Sequence, residues 1–226
     1  MNAVLRIVLK ALLAVAAFAM LIASICLCWF YFYSGDIPHF SELAELAPDS
    51  AATVQDRCSV TSVQTIPSAS VGKNLRNALR AAEGLNDEIL AWQVSRNLLC
   101  NSEMRMLKRS LLEYKASVQI RRRFTPEQLV TIYLNQARFG QDLVGVESAS
   151  LHFYGKHASE LDIAEAAMIA GLLKSPTFYS PEHHPERAKD RRDSVIQRML
   201  RSGTITADQA EAAERSAVRR SAVLVN

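Results

Sequence analysis

Apolar positions fall into one unbroken block, followed by a series of amphipathic periods. The block runs from Ala11 to Tyr33, 23 residues without a charge. A helix needs about 20 apolar residues to cross a bilayer core. A cleaved signal peptide would have a shorter apolar core ending in small residues. This block ends in Trp29, Phe30, Tyr31, Phe32 and Tyr33, the composition of an interfacial aromatic belt. The pattern predicts an uncleaved membrane span.

Gly35, Pro38 and Pro48 interrupt residues 34–57, which sustain no period and read as a linker. Cys58 to Ile66 is rich in Val, Thr and Ser and reads as a short strand. Past Pro67 the pattern is helical. Short helices are expected over 73–83 and 87–99, and a longer one over 103–123. In the longer one, Met104, Leu107, Leu111, Tyr114 and Val118 recur at helical spacing and form the expected core face. Arg109, Leu112, Glu113, Ala116 and Ile120 take the opposite side.

Three later helices carry start signals. Thr125-Pro126-Glu127-Gln128 and Thr206-Ala207-Asp208-Gln209 have capping-box spacing, the first with Pro at the first helical position. Asp162 stands three residues before Glu165 and opens an Ala-rich run to about Leu173. Residues 185–201 form a charged amphipathic helix stopped near Gly203. The expected fold is mainly α with one short strand pair near its start. Residues 1–33 form the tail and span, 34–67 the linker and strand, and 68–220 the helical domain.

Charge sets the orientation. The N-terminal tail carries only Arg6 and Lys10, while the far side opens with Asp36, Glu42, Glu45 and Asp49. The positive-inside rule places the N-terminus in the cytoplasm and residues 34–226 outside. That outer part holds all 23 acidic residues and 24 of the 26 basic ones, a net charge of +1. So neutral a domain is a poor partner for nucleic acid.

Cys26 and Cys28 lie in the span and read as small apolar residues. Cys58 and Cys100 lie in the outer part, where pairing and two free thiols both stay open. No zinc-type spacing is present. His183 and His184 sit in a Pro-flanked loop without acidic or Cys partners for a metal.

Glu113 follows Arg109 by one helical turn. As a surface ion pair these residues would contribute under ~0.5 kcal/mol. The alternative is a carboxylate held beside a cation on a half-buried helix lining a cleft.

From Lys108 onward the chain resembles the glycosyltransferase domain shared by class A penicillin-binding proteins and monofunctional peptidoglycan transglycosylases. Arg109-Ser110-Leu111-Leu112-Glu113 stands for that family's Arg-Lys-x-x-Glu motif. Arg122-Arg123-Phe124, Tyr133-Leu134-Asn135, Phe139-Gly140, Gly145 to Ser150 and Tyr154-Gly155-Lys156 follow in family order. Leu161 to Gly171, Ser175-Pro176 and Tyr179-Ser180-Pro181 close the match. Order and spacing hold from about 105 to 215. Tyr133, Leu134 and the Ala164–Leu173 run are core in character, and Lys156 and His157 follow a glycine in a turn. In a chain that stops at Asn226, no transpeptidase domain is expected to follow.

The N-terminal half departs from the family pattern. The approach to Glu83 resembles the family's Ala-x-Glu-Asp motif, but Gly84 replaces the Asp and no Phe-x-x-His follows. Of a second motif, Gly-Gly-Ser-Thr-Ile-Thr-Gln-Gln-x-x-Lys-Asn, residues 86–97 keep Gln93, Arg96 (for Lys) and Asn97. The few dozen residues that separate the two motifs in the family are missing here.

The resemblance implies a lysozyme-like helical domain that joins lipid-linked disaccharides into glycan strands. Glu83 would be the general base and Glu113 the second catalytic carboxylate. Gln93, Arg96, Asn97 and Arg109 would bind substrate, the two arginines holding the departing pyrophosphate through paired donors. The resemblance admits a divalent cation such as magnesium without assigning its ligands. It implies as partners the lipid-linked peptidoglycan precursor, the bacterial inner membrane and other cell-wall synthesis proteins. Two other functions compete: a non-catalytic scaffold or regulator built on the same fold, and a glycan hydrolase with two carboxylates. The Arg96–Arg109 pair disfavours the hydrolase.

Overall fold

The computed structural model describes residues 3–33, 52–55, 62–84, 86–99, 106–140 and 143–217. Helix α1, Ala3–Tyr33, contains the apolar stretch Val8–Phe30, long and apolar enough to cross a membrane and with no buried residue. Two four-residue strands follow, β1 (Ala52–Gln55) and β2 (Ser62–Thr65), paired antiparallel with Val54 opposite Val63. The strand pair was expected, but β1 falls in the stretch read as linker. Its partner β2 supplies the ladder, and that pairing leaves no local period to read. Cys58 and Cys100 lie outside the described residues.

The remaining elements are helices α2 (Lys73–Glu83), α3 (Asp87–Leu98), α4 (Met106–Arg123) and α5 (Pro126–Gln136). They continue as α6 (Val146–Tyr154), α7 (Ile163–Leu172), α8 (Pro185–Arg201) and α9 (Ala207–Arg215). Short 3-10 turns occupy Ser68–Ser70 and Ala158–Glu160. The domain is mainly helical, as the pattern predicts. The capping boxes at Thr125, Asp162 and Thr206 all form, satisfying amides that a helix start leaves open. Helix α6 was not anticipated. It starts behind Gly145 at φ 84° with no side-chain cap, so its sequence carries no start signal.

Helix α7 is the centre of the domain. Ala164 through Leu172 are all buried, as expected of a helix apolar on every side. Helices α2 and α8 pack against it. A second group forms where α3 lies against α4 and α5.

The second group is tied to the residue that follows β2 by Asn135, which is fully buried on α5. Its Nδ2 donates to Ile66 O at 3.0 Å, and its Oδ1 accepts from Ile66 N at 3.1 Å. One side-chain amide thereby stands in for the next rung of the β2 ladder.

The face expected to be core on α4 is the less buried one, with Leu111 and Val118 half-buried. Tyr114 is 62% exposed, while Leu112, Glu113, Ala116, Ser117 and Ile120 are buried. Met104 lies outside the described residues. Both stripes have helical spacing, so periodicity could not choose between them. Ala116 and Ser117 are small, and small residues let a neighbouring helix approach closely.

Candidate active site

The inversion of α4 changes the standing of Glu113. It points inward, 7% exposed, among Leu112, Ala116 and Ile120. Its Oε1 accepts from Arg109 Nε at 2.9 Å. Arg109 keeps a third of its side-chain surface, so the pair runs from the domain interior to its edge. Of the two readings open in the sequence, burial favours the carboxylate held by a cation over the surface pair. A buried charge is retained only when paired.

Helix α3 supplies the other three substrate-binding candidates and packs against α4. Asn86 caps it, accepting from Ile89 N at 2.9 Å, and Asp87 and Glu88 fill its first turn. Acids there suit the helix dipole, so these residues start a helix where the family motif has glycines. Leu90, Ala91, Val94, Ser95 and Leu98 face inward. Gln93 and Asn97, four apart, are half-buried, and Arg96 is exposed. The Arg96 guanidinium lies 5.5 Å from the Trp92 ring centroid, within cation–π range.

Glu83 is the last residue of α2, and Gly84 follows at φ 61°, a conformation glycine adopts without strain. The Glu83 side chain lies outside the described part of the structure. The backbone just before it is firmly held. Ala82 O accepts from Arg191 Nη2 at 3.2 Å and from Arg198 Nη1 at 2.9 Å, both from α8.

Sequence reasoning passed over these two arginines. For Arg191 a signal was available: with Arg192 it interrupts the inward stripe of Ala188, Val195, Ile196 and Met199. Charge on a core stripe calls for a partner. Arg192 finds one as well, donating to Ser216 O at 2.6 Å and Glu214 O at 2.9 Å at the C-terminal end of α9.

Two further acids are buried and paired. Glu165 accepts from Lys156 Nζ at 2.8 Å while closing the α7 capping box. Glu147 accepts from His157 Nδ1 at 2.5 Å and from Ala158 N at 3.0 Å. The hydrogen bond to Glu147, then its charge, raises the His157 pKa above the ordinary 6.5. Lys156 and His157 thus follow the glycine turn at Gly155 as expected, and both lock it to neighbouring helices.

Among the described residues no three His, Cys, Asp or Glu side chains cluster to hold a metal ion. The described donor set does not fit a metal centre.

Residues 89–200 match the family model described as Transglycosylase. Penicillin-binding protein 1A of Aquifex aeolicus (strain VF5) is 42% identical over 121 residues, 54% of this chain and 16% of that protein. Penicillin-binding protein 1A of Rickettsia felis is 33% identical over 223 residues, covering 81% of this chain and 28% of that protein. A crystal structure of penicillin-binding protein 1A from Haemophilus influenzae aligns at TM-score 0.46 and 25% identity, over 70% of this chain and 18% of that one. The chain therefore spans less than a third of the length of these relatives. The Rickettsia alignment runs 223 residues but takes in 81% of a 226-residue chain, so about 40 of its positions have no counterpart here. On the sequence matches, the helical domain of this chain belongs to the transglycosylase family, the peptidoglycan glycosyltransferase domain of class A penicillin-binding proteins.

Proposed function

We propose that the protein is a membrane-anchored peptidoglycan glycosyltransferase, polymerising lipid-linked disaccharide into glycan strands. The observation that carries this reading is the inward-facing Glu113 held by Arg109, on the helix that bears the family's Arg-x-x-x-Glu pattern. In the reaction, the 4-hydroxyl of an acceptor sugar attacks the anomeric carbon of the donor. The new glycosidic bond forms as the bond to the pyrophosphate oxygen breaks. Undecaprenyl pyrophosphate leaves with the electron pair.

Glu83 takes the hydroxyl proton as general base, which requires it within about 3 Å of that hydroxyl. Arg96 and Arg109 neutralise charge building on the pyrophosphate, and Glu113 fixes the direction of Arg109. Gln93 and Asn97 position the substrate along α3. Helix α1 spans the bacterial inner membrane with its N-terminus in the cytoplasm, which holds the domain at the surface where the lipid tail confines the substrate. Other cell-wall synthesis proteins are the natural partners of such a domain.

Purified full-length protein supplied with lipid-linked disaccharide should produce polymer, and Glu83→Gln should abolish it. Absence of polymer under every metal and detergent condition would end this reading. The second reading, a non-catalytic scaffold for cell-wall synthesis, is favoured by one observation: only Gly84 to Asn86 separate α2 from α3, where the family has a few dozen residues. Under it, Glu83→Gln and Glu113→Gln leave the cellular phenotype intact.

A further inference from the structure

The last four carbonyls of a helix have no partner within it, and water usually supplies one. At the end of α2 the protein supplies two. Arg191 and Arg198, seven residues apart on α8, both donate to Ala82 O. Arg191 also donates from Nε to Gly171 O on α7 at 3.3 Å and lies 5.7 Å from the Tyr179 ring centroid. It is 7% exposed, so its guanidinium is fixed by α7 before it reaches α2.

A single cation would satisfy the helix end and its dipole. Two donors occupy both lone pairs of one carbonyl and resist rotation of its peptide plane. That plane joins Ala82 to Glu83. On the other side stands Gly84 in the left-handed conformation, with nothing within 4 Å of where a Cβ would be. Among the described residues, the restraint on this peptide is the pair of bonds to Ala82 O.

We propose that Arg191 and Arg198 are positioning residues for the glycosyl transfer, fixing the Ala82–Glu83 peptide from which the general base extends. The inference rests on the reading of Glu83 as general base. Neither arginine touches the substrate. Misplacing a reacting group by about 1 Å can cost ~100-fold in rate, so loss of the double anchor acts on the chemical step and spares ground-state binding.

The test uses full-length protein in proteoliposomes with lipid-linked disaccharide as substrate. Arg198→Ala should lower kcat by about tenfold or more with KM unchanged within about twofold. Arg198→Lys keeps one donor for Ala82 O and should restore most of kcat. Arg191→Lys cannot serve Gly171 O and Ala82 O together and should fall with Arg191→Ala. Because Arg191 is buried and its variants can fail to fold, melting midpoints and hydrogen exchange are read in parallel. In Arg198→Ala the described amides from Arg80 to Asn86 should exchange faster while those of α5 stay as in wild type.

Wild-type kcat in Arg198→Ala overturns the proposal, whether or not exchange changes. A fall in kcat matched by a lower melting midpoint and not restored by Lys also overturns it, marking a purely structural role. Full activity in Glu83→Gln removes the general base itself and the inference with it. If Glu83→Gln is inactive and Arg198→Ala is not, the base reading stands and only the positioning role falls. If wild type makes no polymer, the glycosyltransferase reading fails, and unchanged exchange at the end of α2 would then refute the anchor as well.

Discussion

Arg109 and Glu113 sit one turn apart on α4 with Nε and Oε1 at 2.9 Å, yet the glutamate side chain keeps 9% of its surface and the arginine 34%. The order is also the less favourable one for a helix, since an acid placed N-terminal to a base stabilises more than the reverse. Helix stability does not account for the pair. What the geometry provides is a desolvated carboxylate that holds a half-exposed guanidinium in one direction.

Arg109→Ala would strand that carboxylate, at a cost of about 1–3 kcal/mol. A surface pair would cost under ~0.5 kcal/mol. The double variant Arg109→Ala, Glu113→Gln should recover part of the loss, because it leaves no unpaired charge. Denaturant unfolding of the two variants decides between the two cases, and a wild-type midpoint for Arg109→Ala would mean that water reaches Glu113.

Asn135 closes two hydrogen bonds with the backbone of Ile66. Asn135→Asp retains the acceptor but faces a second oxygen toward Ile66 O, and it buries a charge. Both Asn135→Asp and Asn135→Ala should destabilise by about 2–4 kcal/mol, with Asp the worse at neutral pH. Thermal unfolding at neutral and acidic pH separates them: protonation restores a donor, so Asp should gain on Ala as pH falls.

His157 titrates above 6.5 because Glu147 accepts its hydrogen bond and adds its charge. With the folded value raised above the unfolded one, the stabilisation is fully present below the unfolded value and is lost as pH rises through the folded one. NMR titration of the His157 ring should give a pKa above 6.5, and Glu147→Gln should return it toward 6.5. A wild-type ring titrating at or below 6.5 would contradict the pairing.

Gly171 lies against Arg191, and a Cβ there would stand 3.1 Å from Arg191 Cγ. Gly171→Ala should therefore shift Arg191, weaken its bonds to Gly171 O and Ala82 O, and destabilise by about 1–3 kcal/mol. Gly203→Ala, at φ 69° with nothing within 4 Å, costs only backbone strain and leaves Arg191 in place. Hydrogen exchange at the end of α2 should rise in the first variant and not in the second.

Elements whose signals are local could be read from the chain. Helix α1 follows from an uncharged apolar run. The starts of α5, α7 and α9 follow from a Thr or Asp three residues before a Gln or Glu, since a cap involves neighbours in sequence. The family pattern from Arg109 to Pro181 was likewise legible, because its motifs are fixed in order and spacing.

What depends on contacts between distant segments could not be read there. β1 exists through β2, and α6 starts behind an uncapped Gly145. Two stripes of α4 had equal periodicity, and only packing against α3 turned Leu112, Glu113, Ala116 and Ile120 inward. The sequence alone determined the helices that carry local signals and the family they build. Tertiary structure alone decided that Glu113 is buried and that Arg191 and Arg198 hold the end of α2. Periodicity specifies a helix's faces, but only a neighbouring surface decides which of them loses its water.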